Sequence, residues 1–197
     1  KTLLAAGCDT FFVARLSEGV ALRKTIREAR IFVLDGVQAQ TVPVLVSHNL
    51  TPVLNSLDEI ALWSDAAMKA RAEYAAAIHF DTGMHRLGLP HEELNTLAGE
   101  LNSRLGGVRI ALLMSHLACA DDSDSDMNRE QFARFKSGLA RLPAAPASLA
   151  SSGGVLLGKD YCFDMVRPGI GLYGGNPQAA GKKNPFAVVA LMTGKIL

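Results

Sequence analysis

No apolar run in this chain approaches the roughly 20 residues that a bilayer-spanning helix needs. Runs such as "VPVLV" and "RIALLM" stop far short of that. The start of the chain also lacks the charged-then-apolar pattern of a secretory leader, so the expected location is the cytoplasm and no membrane partner is expected. Charge of one sign is missing too. Twenty basic residues face nineteen acidic ones for a net charge of +1, and aromatics make up 6% of the chain. Without a basic stripe or interleaved aromatics, nothing recommends a nucleic-acid surface. The three cysteines, Cys8, Cys119 and Cys162, are odd in number and far apart. They form no CxxC and no Cys/His ligand spacing, so they are expected to be reduced and to serve as small core residues. His79 and His85 have a spacing that matches no known metal site, and no metal is expected.

What is present is a chain of 197 residues, 49% of them hydrophobic, enough to bury one sizeable core. Short apolar, β-branched runs alternate with helical patterns, which predicts parallel βαβ units. The predicted strands are residues 10–16, 30–36, 42–47, 75–83, 108–117, 146–152 and 164–174. Predicted helices start at Ser17, Ser56, His91 and Asn128, with a shorter one after Ser152. Ser56 and Glu59 form the S-x-x-E capping box, and Pro90 suits the start of its helix. After Tyr173 the polar stretch "GGNPQAAGKKNP" reads as a linker, and "FAVVALMTGKIL" reads as the beginning of a further strand. An open doubly wound sheet would carry G-x-G-x-x-G in its first βα turn, and no strand here is followed by one. The expected fold class is therefore α/β, a (β/α)8 TIM-like barrel lacking one strand over residues 1–185, with the start of a C-terminal β domain at 186–197.

In such a barrel the reacting groups gather at the C-terminal strand ends, with phosphate near the last two strands. Those ends read "DTGMHRLG", "SHLACADD", "SLASSGG" and "RPGIGLYGG". Ser151, Ser152, Gly169 and Gly171 are small residues on neighbouring ends, where backbone N–H groups can closely approach an anion. A tight structural turn explains the glycines equally well by themselves; the paired serines favour the phosphate reading. Arg167 precedes Pro168 and points inward, where it either forms a structural salt bridge or donates to a ligand, since a guanidinium keeps its protons. Asp81, Arg86 and His116 fit either a satisfied core role or a site role.

Taken in order, "FFVARLSEGVALR", "DTGMHRLG", "SHLACADD", "SLASSGG" and "VRPGIGLYGG" resemble the alanine racemase family across essentially the whole chain. The resemblance implies an isomerase that uses pyridoxal 5'-phosphate to interconvert L- and D-alanine for peptidoglycan synthesis, acting as a homodimer. It implies that Ser152, with the backbone of Gly169 and Ile170, cradles the cofactor phosphate, with Ser151 beside it. Arg167 corresponds to the arginine that donates to the pyridine nitrogen, His116 would lie near the ring and support it, and Arg86 corresponds to the residue that bonds the phenolic oxygen and the substrate carboxylate. The family's two catalytic bases, a lysine on the first barrel strand and a tyrosine in the C-terminal domain, have no counterpart here, so the missing strand is the first and the chain by itself is expected to be inactive. Many members carry a carbamylated lysine two residues before the aspartate of "DTGM"; here that position is His79. A chloride near Arg86 and His79, or a water helped by Asp81, is expected in its place. The alternatives are a non-catalytic pyridoxal phosphate-binding barrel and a broader-specificity, serine-accepting racemase. A barrel decarboxylase is disfavoured, because that class places a carboxylate at the pyridine nitrogen.

Overall fold

The computed structural model describes residues 1–191, 193 and 194. Six parallel strands follow one another, β1 Thr10–Val13, β2 Arg30–Val33, β3 Thr51–Leu54, β4 Tyr74–His79, β5 Val108–Met114 and β6 Ala147–Ser148. Parallel neighbours need a crossover. The crossovers are made by α2 Leu16–Thr25, α3 Val42–Ser47, α4 Leu57–Ala70, the pair α5 His91–Gly99 and α6 Leu101–Arg104, and α7 Asp126–Leu139; α1 Thr2–Ala5 precedes β1 and α8 Ser152–Leu156 follows β6.

Strand order in the sheet equals chain order and never reverses. With right-handed crossovers, such winding puts every helix on one face, whereas a doubly wound sheet reverses and covers both. The two core clusters agree. On one face, strand residues Ile31, Val33, Ile78 and Leu113 pack with helical Ile60, Trp63, Leu97 and Phe135. On the other, Phe32, Val53, Ala77, Leu112 and Met114 pack among themselves, joined by Phe12 and Met165. The second cluster is the inner wall of a curled half-barrel.

Helix positions follow local chemistry. Ser56 caps α4 by accepting the Glu59 N–H at 3.2 Å. The return half of the expected capping box is displaced by one residue, because the Glu59 carboxylate accepts the Asn55 N–H at 2.8 Å. Pro90 is the residue that caps α5. Helix α7 lies close to β4 because Gly138 faces the Phe80 ring, where a Cβ would come within 2.4 Å of a ring carbon.

Four sequence expectations need correction. "VPVLVS" is helix α3, not a strand: Pro43 sits in its first turn, where no N–H is required. Val42 and Leu45 face the core while Pro43 and Val46 face out, and Asn49 at φ 49° ends the segment. The strand of that region is instead β3, "TPVL". The stretch 164–174 is not a continuous strand either. It makes one bridge, Ser151 to Arg167, before Pro168 interrupts the ladder and Ile170–Tyr173 wind into a 3-10 turn. The cysteines are free but not core residues: Cys8 is exposed and Cys119 and Cys162 are half-buried. Of the strand expected from Phe186, residues 186–191 contain no strand, and Met192 and 195–197 lie outside the described residues.

Candidate active site

Side chains alternate across a strand, so the inner-wall parity of Val53, Ala77, Leu112 and Met165 carries upward to Asn55, His79, Met114 and Arg167. All of these sit at the C-terminal rim, where parallel strands collect their ends. His79 is 7% exposed, and its Nδ1 lies 2.9 Å from Asn55 Oδ1. Burial, followed by the charges of Arg167 and His116, pushes His79 down to about 3, against a weaker opposite pull from Asp81. Burial and the charges of Arg167 and Arg86 hold His116 at about 4. Both imidazoles are neutral at physiological pH.

Beyond β4 the segment 81–89 folds back on itself. Leu89 N–H donates to His79 O and Asp81 N–H donates to Leu89 O, each at 2.8 Å. Inside that loop Asp81 Oδ1 accepts the N–H groups of Gly83, Met84 and His85 at 2.9 to 3.1 Å, and Oδ2 meets His85 Nδ1 at 2.7 Å. Asp81 therefore shapes the turn rather than reaching for Arg86. Arg86 is exposed and has no hydrogen-bond partner among the described residues.

Helix α7 braces the same rim from behind. Fully buried Gln131 donates to Thr82 Oγ1 (3.0 Å) and His116 O (2.9 Å) and accepts Ala118 N–H (2.8 Å), while Thr82 and Ser115 share a 2.8 Å hydroxyl contact. Arg134 donates to Thr82 O at 3.0 Å.

The other half of the rim holds Arg167. Its Nη2 donates to Ser115 O and to Leu149 O (3.2 Å), and its guanidinium carbon lies 5.8 Å from the centre of the Phe12 ring. The His116 ring makes no hydrogen bond to it among the described residues; the carbonyl of the preceding residue does. Burial pushes Arg167 down to about 10, which leaves it protonated at neutral pH. Its Nη1 is buried with no partner. A buried unpaired donor is costly, and such an orphan calls for an acceptor that the chain does not supply.

Next to it, Ser152 Oγ accepts Gly169 N–H at 2.9 Å and Gly171 N–H at 3.1 Å. Between those two donors, Ile170 N–H has no partner among the described residues. With both lone pairs engaged, the Ser152 hydroxyl hydrogen is free to donate. Ser151 sits at the N-cap of α8 and makes no side-chain cap bond. Gly171 is also pressed by the Phe186 ring, which a Cβ would meet at 3.1 Å.

The structure thus brings Arg167, His116, Ser151, Ser152, Gly169 and Ile170 onto one rim, with Arg86 on the loop beside it. Sequence reasoning missed Asn55, Thr82, Ser115, Gln131 and Phe186. Asn55 carried a signal, since a polar residue ends the apolar run "TPVL" and precedes a cap. Among the described residues there is no group of three or more His, Cys, Asp or Glu that could hold a metal, and no helix is long and apolar enough to cross a membrane. The two marked surface hollows, around Arg71 and Glu73 and around Asn49 and Arg109, lie at the opposite, N-terminal end of the strands.

The half-barrel is shared with known proteins. The family model for the alanine racemase N-terminal domain matches residues 1–177. Alanine racemase of Rickettsia bellii is 45% identical over 189 residues, covering 94% of this chain and 45% of that protein. Catabolic alanine racemase of Agrobacterium fabrum is 45% identical over 192 residues, covering 97% and 49%. The crystal structure of alanine racemase from Bartonella henselae, which has covalently bound pyridoxal phosphate, superposes with a TM-score of 0.89 at 37% identity, covering 95% of this chain and 54% of that one. The chain spans about half the length of the curated relatives it matches. With that match running through residue 177, the chain belongs to the alanine racemase N-terminal domain family.

Proposed function

We propose that the intact protein interconverts L- and D-alanine with pyridoxal 5'-phosphate, in the cytoplasm, supplying D-alanine for peptidoglycan. The observation that carries this reading is the buried, unpartnered Arg167 Nη1 on the same rim as the Ser152 and Ile170 donors. The donors fit the cofactor. A ring nitrogen is the acceptor that Nη1 lacks, and phosphate oxygens suit Ile170 N–H and the hydroxyls of Ser151 and Ser152, with Gly169 holding Ser152 in place. When bound, the cofactor supplies an electron-accepting ring that acidifies the Cα–H of an attached amino acid. Arg167 tunes that ring by donating without surrendering a proton, which a carboxylate at the same place would not do. Arg86 offers a planar pair of donors to the substrate carboxylate and the phenolic oxygen. His116, neutral beside Arg167, leaves the positive charge on the guanidinium.

On this reading residues 1–185 are strands 2 to 8 of an eight-stranded barrel, with the Ser151–Arg167 bridge in the last place, and residue 186 opens a C-terminal β domain. The two bases come from segments outside residues 1–197, the tyrosine from the partner in a homodimer, so the chain alone does not turn over. A chloride beside Arg86 would be held without donation from His79, whose Nδ1 faces Asn55. The test is racemisation by the full-length protein loaded with pyridoxal phosphate, followed by chiral chromatography. Loss of enantiomeric purity from L-alanine and from D-alanine supports the reading; none from either overturns it. Equal turnover of serine would shift it to the broader-specificity racemase.

A further inference from the structure

The proton on His79 can be placed from its neighbour. Asn55 Nδ2 lies 3.2 Å from Leu34 O and 2.9 Å from Val53 O, and of the two amide atoms only nitrogen can donate to carbonyls. That fixes the amide, so the atom 2.9 Å from His79 Nδ1 is an oxygen and can only accept. Nδ1 therefore carries the hydrogen and Nε2 carries a lone pair. A second proton is opposed by burial and by the Arg167, His116 and Arg86 charges.

Nε2 has no partner among the described residues, and it is not sealed off either, since the buried unpartnered side-chain atoms are Asn128 Oδ1 and Arg167 Nη1. It faces space that a ligand or a moving side chain can reach. The loop 81–89 closes over that edge of the ring: a Cβ on Gly88 would lie 3.1 Å from His79 Cδ2, the carbon bonded to Nε2. Arg86, two residues earlier on this loop, has unused donors. Asp81, the nearest carboxylate on the loop, is already engaged by three backbone N–H groups and His85.

We infer that His79 is a positioning residue whose Nε2 lone pair receives an N–H of the Arg86 guanidinium when the site is filled, with Asn55 locking the tautomer that makes this possible. The inference rests on the racemase reading for the role of Arg86. It replaces an anion with a neutral acceptor. A chloride shared with His79 is disfavoured, because the one ring N–H goes to Asn55 and a lone pair faces the space where the anion would sit.

The first test reads the tautomer and needs no activity. In full-length, cofactor-loaded protein labelled with ¹⁵N-histidine, long-range ¹⁵N–¹H spectra between about pH 5 and 9 should show His79 protonated at Nδ1 alone. Its Nε2 signal should move when alanine is added. An Nε2–H tautomer, an imidazolium or an unmoved Nε2 signal overturns the inference, and each can be observed whether or not the protein racemises alanine. The second test is kinetic. His79→Leu should raise KM for alanine about tenfold, the loss of one hydrogen bond to a charged group, with a smaller change in kcat. His79→Gln, whose amide oxygen can accept, should recover part of that loss. Added chloride should improve His79→Leu and leave the unmodified enzyme unchanged. Equal KM values in all three proteins, or chloride dependence of the unmodified enzyme, would show that Arg86 is held otherwise. Should His79→Leu fail to fold, the tautomer of the unmodified protein still decides.

Discussion

The β4 and β5 ends and the turn after β6 share one rim, yet their hydrogen bonds are arranged on opposite terms. Around Asn55, Asp81, Thr82 and Gln131 the donors and acceptors close on each other, held by α7 behind them. Around Arg167 and Gly169–Gly171 donors outnumber acceptors: Arg167 Nη1 is sealed without a partner, and Ile170 N–H is free between two that converge on one serine oxygen. Apart from His79 Nε2, the Arg86 guanidinium and Asn128 Oδ1, the first region is finished by the chain itself. The second is left with donors that an acceptor from outside would satisfy. A fold tolerates a surplus of buried donors where a ligand removes it, so on the function proposed above the contrast separates the part of the rim that would position from the part that would bind.

Replacing Arg167 should strain this contrast most. Arg167→Met removes the orphaned Nη1 and the cost of burying the charge, but also the Nη2 bonds to Ser115 O and Leu149 O, so these effects should largely offset in the unfolding midpoint of the cofactor-free protein, while pyridoxal phosphate affinity and kcat/KM should fall. One hydrogen bond from a charged group is worth about 1.5 to 3 kcal/mol, or roughly 10- to 150-fold. Absorbance titration of the cofactor and a urea melt of the same protein give both numbers. A collapse in stability with affinity intact would make Arg167 a strut and erase the distinction. The opposite pattern is expected for Gln131→Leu. It leaves Ala118 N–H, His116 O and Thr82 Oγ1 each short of a buried partner, and should cost about 2 to 4 kcal/mol of unfolding free energy. Cofactor affinity measured well below the melting range should stay within about threefold. An unchanged urea midpoint would mean that α7 does not brace the rim.

How the two regions read in the sequence differs for physical reasons. β1, β2, β4 and β5 and helices α2, α4, α5 and α7 are legible because their apolar periods are regular. The placement of the serines, glycines and arginine together on one half of the rim is also legible, since they stand at successive strand ends. The positioning half is not. Its key partners are joined across the chain, Gln131 to Thr82 over 49 residues, and no local pattern reports such a bond. Asn55 was hidden by an error one element earlier. The valines of "VPVLVS" have strand propensity, but their burial repeats as a helix does, and Pro52 demotes the true strand "TPVL". With β3 misplaced, its C-terminal end fell on the wrong residues, and the partner of His79 went unseen. The last strand failed differently. Its apolar run is real, but Pro168 removes a ladder donor and the glycines turn the chain out of the sheet.

Within the glycine turn the contrast can be sharpened by a pair of substitutions of equal size. A Cβ on Gly171 would lie 3.1 Å from Phe186 and 3.3 Å from Ser152 Oγ, whereas one on Gly169 meets nothing within 4 Å. Overpacking of this kind costs about 1 to 3 kcal/mol, so Gly171→Ala should weaken binding of inorganic phosphate by roughly tenfold. Gly169→Ala should change it less than about twofold, its N–H being kept. Isothermal titration of both variants measures the difference. Equal losses would mean that backbone freedom, not the press of Phe186 and Ser152, limits the turn.

The smallest effect belongs to Asp81 and shows itself through pH. Burial raises the carboxyl, but the N–H groups of Gly83, His85 and Met84 and the charge of His85 outweigh it, leaving the group below its ordinary value. A carboxylate depressed on folding stabilises the protein above its unfolded pKa, and that contribution disappears as the pH falls through the folded value. Asp81→Asn keeps an oxygen for the loop N–H groups but loses the charge. It should therefore be less stable than the unmodified protein by about 1 kcal/mol near neutrality. The gap should hold at and above the ordinary carboxylate range and close only as the pH falls through the depressed folded value, where the unmodified carboxyl also becomes neutral. Urea melts of the two proteins at stepped pH follow it. A gap that persists unchanged into acid would show that the turn depends on the shape of the side chain. A gap that closes shows that the loop carrying Arg86 is held by charge, and that acid loosens the positioning half of the rim before it touches the guanidinium of the binding half.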